Sequence, residues 1–276
     1  MQNNIKIIEG NLFNSKSQTL VNTINTVGVM GAGIALEFRL RYPEMYRRYK
    51  ELCKKKQIQI GKLWIYKATD RYILNFPTKE HWKDDSKIEY LEKGLEKFVN
   101  TYKEKGIISI AFPILGSDRG NMPPEISLNI MLKYLSKCDI PIEIYKYDPN
   151  IPDDLFPILK EKVLNISIDE FVKITNIKKK YAIIIFRAVI EQKVKSLSAL
   201  KDFSGIGIST LEKLYDFLFD RNRTYSKDEL TLKLLELAKT KLNKNAYITF
   251  ENYLFNRKKI SKSEYSILRR QLCKFS

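Results

Sequence analysis

Apolar runs alternate with amphipathic stretches along the first half of the chain. Six short apolar runs predict β-strands, at residues 5–8, 19–24, 62–67, 72–76, 107–115 and 141–147. Four stretches with apolar residues at helical spacing lie between them, at residues 31–41, 44–56, 86–105 and 123–137. Strands that alternate with helices predict an α/β fold built in layers. The run at 107–115 is continuously apolar, which indicates a strand covered on both faces.

The pattern changes near residue 150. Pro149, Pro152 and Pro157 punctuate the next stretch, and the remainder reads as helices. We therefore predict a first domain at 1–150, a linker at 151–165 and a smaller all-α domain at 166–276. In that last domain a glycine turn separates two amphipathic segments and resembles a helix-hairpin-helix. Gly205 and Gly207 would then offer backbone N–H groups to a DNA phosphate, although an ordinary turn between helices explains them equally well.

A glycine-rich junction between a strand and a helix occupies residues 21–38 (VNTINTVGVMGAGIALEF). Bare backbone N–H groups and the positive end of a helix dipole suit a phosphate or a ribose there, but a tight turn also accounts for the glycines. A second glycine loop (ILGSDRGN, residues 114–121) follows the buried strand. Ligands bind at the carboxyl ends of parallel strands, so two such loops can hold one diphosphate between them. Neither a P-loop nor a complete Rossmann fingerprint is present.

The net charge of +17 indicates which kind of partner the protein binds. It favours a polyanion, with nucleic acid the first candidate and an anionic membrane the second, although a lysine-rich surface alone would give the same count. The three cysteines have no zinc-site spacing and no even pairing, so we expect no metal and no disulfide framework. No apolar signal core or run of membrane length is found, which predicts a cytoplasmic protein without membrane contact.

These motifs together resemble the macrodomain family over about the first 148 residues. The similar elements are residues 8–12 (IEGNL), 30–35 (MGAGIA) and 113–120. The resemblance implies a three-layer α/β/α fold with a mixed central sheet that binds ADP-ribose. It assigns the binding residues as follows: Asn11, Leu12, Asn22, Asn25, Gly31, Ala32, Gly33, Ile34, Leu115, Gly116, Ser117, Arg119, Gly120 and Tyr147.

A narrower similarity combines the first glycine stretch with NFPTKEHW at residues 75–82. Both occur in the DNA ADP-ribosyl glycohydrolase antitoxins of the DarG type. The resemblance implies a metal-independent glycohydrolase without a cofactor that removes ADP-ribose from a DNA base, with thymidine in single-stranded DNA as the expected substrate. It also implies a DNA ADP-ribosyltransferase toxin as partner, and the carboxyl-terminal domain could bind that toxin, DNA or both. An ADP-ribose-binding module, a glycohydrolase for protein-linked ADP-ribose and a toxin inhibitor acting by contact alone are the alternatives.

The resemblance maps the catalytic lysine of these enzymes onto Lys79. A lysine can attack a ribose carbon if its pKa is lowered, whereas an exposed loop lysine would do nothing. Asp118 is the second candidate, as a base or a stabiliser of the ribose carbon, or only as a turn residue paired with Arg119. Trp82 can stack on a DNA base or anchor its loop in the core.

Two positions depart from the family pattern. Asn11 stands where many macrodomains have an adenine-binding acid, so it would bind the adenine edge without a charge. The second glycine loop reads GSDRG where GCGxGG is more usual. The side chains of Asp118 and Arg119 therefore put the choice of substrate in question more than the fold.

Overall fold

The computed structural model describes residues 4–219, 221, 227–255, 268 and 271–272 of the 276-residue chain. The chain divides into two compact units, residues 1–219 and 220–276. The helices within the described ranges lack the combination of length and apolar character that crossing a bilayer requires.

The first unit is built on a six-stranded sheet. Its strands are β1 (Ile5–Gly10), β2 (Thr19–Asn25), β3 (Trp64–Lys67), β4 (Tyr72–Lys79), β5 (Ile110–Pro113) and β6 (Ile142–Tyr147). Their order is β1-β6-β5-β2-β4-β3, and every neighbouring pair is parallel except the β3–β4 pair. Because five of the six strands run in one direction, the loops that follow β1, β2, β4, β5 and β6 emerge at the same edge.

Helices cover both faces of this sheet. They are α1 (Gly33–Arg41), α2 (Pro43–Lys54), α3 (Ile88–Thr101) and α4 (Pro124–Leu135). One apolar core joins α3 and α4 to the sheet, and a second joins α1 and α2 to its other face. The central strand β5 contributes Phe112 to the first core and Ala111 to the second, as its unbroken apolar sequence predicts. The predicted three-layer α/β/α fold with a mixed sheet is confirmed.

Further helices belong to the same unit: α5 (Phe156–Leu164), α6 (Ile168–Thr175), α7 (Lys179–Ile190) and α8 (Ile208–Leu218), with a 3-10 helix at Ser198–Asp202. The predicted linker at 151–165 is wrong, because α5 occupies most of it and Pro157 lies in the first turn of that helix. The predicted domain boundary also moves, to residue 219. The reason is that Leu36 and Leu40 of α1 lie in the same apolar core as these helices.

The second unit contains α9 (Lys227–Lys241) and α10 (Lys244–Phe255). Leu234 and Ala238 of α9 form a small buried cluster with Leu254 of α10, Leu268 and Leu272. Helices therefore continue past residue 219, as predicted. The parts of the predicted helical domain at 220, 222–226, 256–267, 269–270 and 273–276 lie outside the described residues.

Candidate functional site

Three loops meet at the carboxyl edge of the sheet: the first glycine loop (residues 26–32), the Lys79 loop (80–87) and the second glycine loop (114–121). Thr26 joins the first two, since its backbone N–H and its hydroxyl both donate to the carbonyl of Glu80, at 3.1 and 2.8 Å. The second and third are joined by the Ser86 N–H, which donates to the Gly120 carbonyl at 2.9 Å. The Asn121 amide also donates to Asp85 at 2.6 Å. Hydrogen bonds therefore connect the three loops into one side of the candidate site.

Lys79 is the last residue of β4 and is paired in register with Asn25 of β2. It is 8% exposed, and its ammonium donates to the backbone carbonyl of Arg119 in the second glycine loop. Burial lowers the pKa of Lys79, and the carboxylates of Asp85, Asp84 and Asp118 oppose that shift. The direction of this pKa shift is the one that favours a nucleophilic lysine.

Asn25 shapes the first glycine loop. Its side-chain oxygen accepts from the N–H groups of Val27 and Val29, at 3.1 and 3.2 Å, and its amide donates to the Val29 carbonyl at 2.6 Å. The buried Tyr49 hydroxyl also reaches this oxygen, at 3.0 Å. Both polar atoms of the Asn25 side chain are thus engaged in the turn. Its predicted contact with ADP-ribose stays a prediction, and the structure adds a role in shaping the loop.

The start of α1 touches the second glycine loop. Gly33 has a φ of +53°, and a methyl group there would lie 2.8 Å from a carboxylate oxygen of Asp118. Ala32, the N-cap residue of α1, makes no side-chain capping bond, so the first N–H groups of the helix remain available to a ligand. At Gly31 an added methyl group would approach only Val29. Ile34, one residue further, packs against the core beneath.

The second glycine loop is a compact turn that glycine alone permits. Gly116 has a φ of +69°, and a methyl group at Gly120 would overlap the Gly116 carbonyl oxygen. The Ser117 hydroxyl donates to the Ile114 carbonyl at 3.0 Å, and the carbonyl of the buried Leu115 accepts from Ser127 at 2.6 Å. Hydrogen bonds within the loop and from Ser127 therefore fix its backbone.

The side chains of Asp118 and Arg119 project from this loop. Both are mostly exposed, and the closest approach between the guanidinium and the carboxylate is 3.9 Å. The predicted Asp118–Arg119 pair is thus present but loose. Such a pair can rearrange around a substrate, because exposed ion pairs contribute little to stability.

Three predicted binding residues are buried. Asn22 is fully buried inside the sheet and donates to Asn75 of β4 at 2.9 Å, so its predicted ligand contact is corrected to a structural role. The side-chain oxygen of Asn11 accepts from the Phe13 N–H at 3.0 Å and caps a 3-10 helix at Leu12–Asn14. Leu12 is buried beneath that turn. An adenine contact from Asn11 would have to come from its remaining amide group.

Two aromatic side chains lie exposed, one at the end of β6 and one in the Lys79 loop. Tyr147 ends β6 and is 64% exposed, which excludes core packing and leaves its ring open to a ligand. Trp82 follows Lys79 by three residues and is 48% exposed, with the His81 ring at 5.5 Å and the Lys83 ammonium 5.1 Å from its centroid. Trp82 is therefore a surface residue of the Lys79 loop and not an anchor in the core.

The predicted hairpin is half correct. Gly207 is the N-cap of α8, but a 3-10 helix precedes the turn where the motif requires an α-helix. Gly205 has a φ of +82° and packs against the Tyr181 ring, so glycine is needed here for close packing. Residues 201–207 line an open hollow of about 390 Å³. DNA binding at Gly205 and Gly207 stays a prediction.

Sequence reasoning missed three residues of this region. Thr26 and Asp85 join the loops, and the Lys201 ammonium donates to the Gly31 carbonyl at 2.9 Å. No motif marks Lys201, which lies 170 positions from its partner in the chain. Within the described ranges, no group of three or more His, Cys, Asp or Glu residues is arranged to hold a metal ion.

The arrangement of two glycine loops at the edge of this mixed sheet defines a class of protein. The family model of the Macro domain matches residues 21–131. The solved macrodomain of Mycobacterium tuberculosis DarG is 38% identical to this chain, with a TM-score of 0.50, over 51% of this chain and 96% of that one. The chain belongs to the macrodomain family.

Longer relatives carry more specific names. The DNA ADP-ribosyl glycohydrolase of Thermus aquaticus is 41% identical over 152 residues, which are 52% of this chain and 41% of the relative. The structure of Thermosipho africanus DarTG in complex with ADP-ribose is 38% identical, with a TM-score of 0.51, over 53% of this chain and 42% of that one. A Thermosipho africanus DNA ADP-ribosyl transferase–DNA ADP-ribosyl glycohydrolase fusion protein is 38% identical over 170 residues, 54% of this chain and 44% of the relative. The chain therefore spans less than half the length of these relatives.

Proposed function

We propose that this chain is a glycohydrolase that removes ADP-ribose from a DNA base, with thymidine in single-stranded DNA as its substrate. The observation that carries the proposal is the buried Lys79 amine between two glycine loops. The names of the relatives from Thermus aquaticus and Thermosipho africanus support a DNA-linked substrate. The net charge of +17 supports a polyanion in the same way.

The glycine loops would hold the diphosphate and the distal ribose. Backbone N–H groups at the start of α1 and in the second glycine loop favour negative charge without a lysine. The distal ribose would then lie against Gly31 and Gly33, with its anomeric carbon toward Lys79. In this reading the glycines position the substrate and the lysine carries the reaction.

The lowered pKa of Lys79 gives its amine a larger neutral fraction than an exposed lysine has. The neutral amine attacks the anomeric carbon, a nitrogen–carbon bond forms, and the bond between that carbon and the base breaks. The proton lost by the amine goes to the departing base. Water then hydrolyses the adduct, which releases ADP-ribose and restores the amine. Trp82, exposed in the loop that follows Lys79, would stack on the base or on its neighbour in the DNA strand.

A panel of substrates tests this proposal. We would incubate the full chain with single-stranded DNA carrying ADP-ribosylated thymidine, with the guanosine-linked equivalent and with a glutamate-linked peptide, and follow ADP-ribose release by mass spectrometry. We expect release from the thymidine-linked DNA. Failure to release ADP-ribose from both DNA substrates would overturn the proposal, and faster release from the peptide would transfer it to protein-linked ADP-ribose.

We also propose that a DNA ADP-ribosyltransferase is the protein partner, contacted through the helices beyond residue 150. Support comes from the fusion relative, whose name joins the two activities in one chain. Co-expression with the transferase part of that relative, followed by size-exclusion chromatography, should give a co-eluting complex. A shortened chain of residues 1–219, which keeps the first compact unit, shows whether the second unit is needed. Separate elution of the full chain and the transferase would argue against this partner.

A further inference from the structure

A residue outside the part of the chain that matches the macrodomain family holds the first glycine loop. The Lys201 ammonium, in the 3-10 helix that precedes α8, donates to the Gly31 carbonyl at 2.9 Å. Gly31 lies two residues before the start of α1, where the distal ribose is expected. The family match ends at residue 131, so Lys201 comes from a part of the chain outside it.

The rest of α1 is attached to the same helical segment. Arg39 pairs with Glu212 of α8 at 2.7 Å, and the Tyr215 hydroxyl of α8 donates to Glu37 at 2.5 Å. The apolar side chains of Leu36 and Leu40 are buried against helices α5–α8. Three polar contacts and an apolar core therefore connect the loop and its helix to residues 198–218.

These contacts restrict the loop from two sides. Gly33 abuts Asp118 of the second glycine loop, and Gly31 is bonded to Lys201 on the side of the helical segment. A loop that is fixed before the ligand arrives loses less conformational entropy on binding. The anchor thus acts on affinity through the backbone of Gly31.

We propose that the helical segment at residues 198–218 completes the ADP-ribose site, and that Lys201 is a positioning residue for the first glycine loop. The inference deepens the proposed function, but it requires only that the chain binds ADP-ribose. It assigns a role in ligand binding to helices that lie outside the part of the chain matched by the Macro domain family model.

Lys213 provides a matched control. Its half-buried side chain also donates to a backbone carbonyl, that of Asn176, at 2.6 Å, but both partners lie in the helices beyond residue 150 and neither belongs to the first glycine loop. Lys201→Met and Lys213→Met therefore remove the same charge and the same type of bond. Only the first releases the glycine loop.

The test measures ADP-ribose affinity by calorimetry on the full chain. We expect Lys201→Met to raise the Kd by roughly three- to tenfold, which corresponds to the net contribution of one typical hydrogen bond, and Lys213→Met to leave it unchanged. Lys201→Arg keeps a charged donor and should recover most of the affinity. Thermal unfolding of the two methionine variants should shift equally, which separates the effect on binding from a general loss of stability.

Three outcomes would overturn the inference: an unchanged Kd in Lys201→Met, an equal loss of affinity in Lys213→Met, or no ADP-ribose binding by the unaltered chain. A different result would disprove the proposed enzyme activity. A chain that binds ADP-ribose with the expected Lys201 dependence but releases none from DNA would retain the positioning role and lose only the reaction.

Discussion

Replacing Lys79 by alanine should lower kcat/KM for ADP-ribose release by at least roughly 10²- to 10⁴-fold, since loss of a nucleophile costs no less than loss of one positioned acid or base. Binding of free ADP-ribose should change far less, because the glycine loops and the start of α1 remain in place. The measurement is single-turnover release from thymidine-linked DNA, compared with calorimetry on the product.

Lys83→Ala is the control for this change. Lys83 belongs to the same loop and approaches the Trp82 ring, but it makes no contact with the second glycine loop among the described interactions. We expect it to retain nearly full activity. A Lys79→Ala variant as active as Lys83→Ala would remove Lys79 from the mechanism without excluding glycohydrolase activity by another group.

The pH profile gives a second readout for Lys79. Attack requires the neutral amine, and burial holds the pKa of Lys79 below its ordinary value of 10.5. The rate should therefore rise with pH and level off below 10.5, since the neutral fraction is complete above the pKa of the folded protein. A rate that is flat from neutral to alkaline pH would contradict a nucleophilic amine with this environment.

Replacing Arg41 by methionine should destabilise the first unit by roughly 3–5 kcal/mol, the cost of leaving buried carboxylates without their counter-ion. The Arg41 guanidinium is buried and lies 2.7 Å from Glu37, 3.5 Å from Asp153 and 2.8 Å from Asp154. Methionine keeps much of the apolar volume of the side chain but loses the guanidinium, which also lies 3.9 Å from the centroid of the Phe13 ring. Urea unfolding of residues 1–219, followed by circular dichroism, measures the loss.

The loss should depend on pH. Burial, followed by the charge of Glu37, raises the pKa of Asp153 from 3.8 to about 6. A raised pKa means that the folded state holds its proton more tightly, so stability from this group is present at acid pH and is lost as the pH rises through about 6. The cost of Arg41→Met should consequently be smaller at pH 5 than at pH 7 (about one unit either side of that pKa).

Arg47→Met is the matched control for Arg41. Arg47 lies on α2 and pairs with Glu44 and Glu51, at 2.7 and 2.9 Å, but its side chain is mostly exposed. Exposed pairs contribute about 0–1 kcal/mol, so this variant should unfold nearly as the unaltered chain does. Equal destabilisation by the two substitutions would show that burial of the Arg41 cluster has no energetic consequence.

The alternation of apolar runs and amphipathic stretches determined the layers of the first 150 residues. The local sequence was enough to predict each strand and helix. A strand covered on both faces must be apolar throughout, and a helix on a sheet must repeat its apolar residues at helical spacing. The two glycine loops were also readable, since Gly33 and Gly116 adopt conformations that other residues avoid. The role of Lys79 was predicted from a motif that resembles the family and not from the hydrophobic pattern.

The tertiary structure alone decided how far the first unit extends and what holds the first glycine loop. Prolines near residue 150 predicted a linker, but a proline in the first turn of a helix is compatible with that helix, and the apolar face of α1 required a cover. Asn22 and Asn25 look alike in sequence, yet one is buried between strands and the other shapes a turn. Lys201 reaches Gly31 across 170 positions. Such contacts depend on which surfaces the fold brings together, and a local sequence pattern does not predict them.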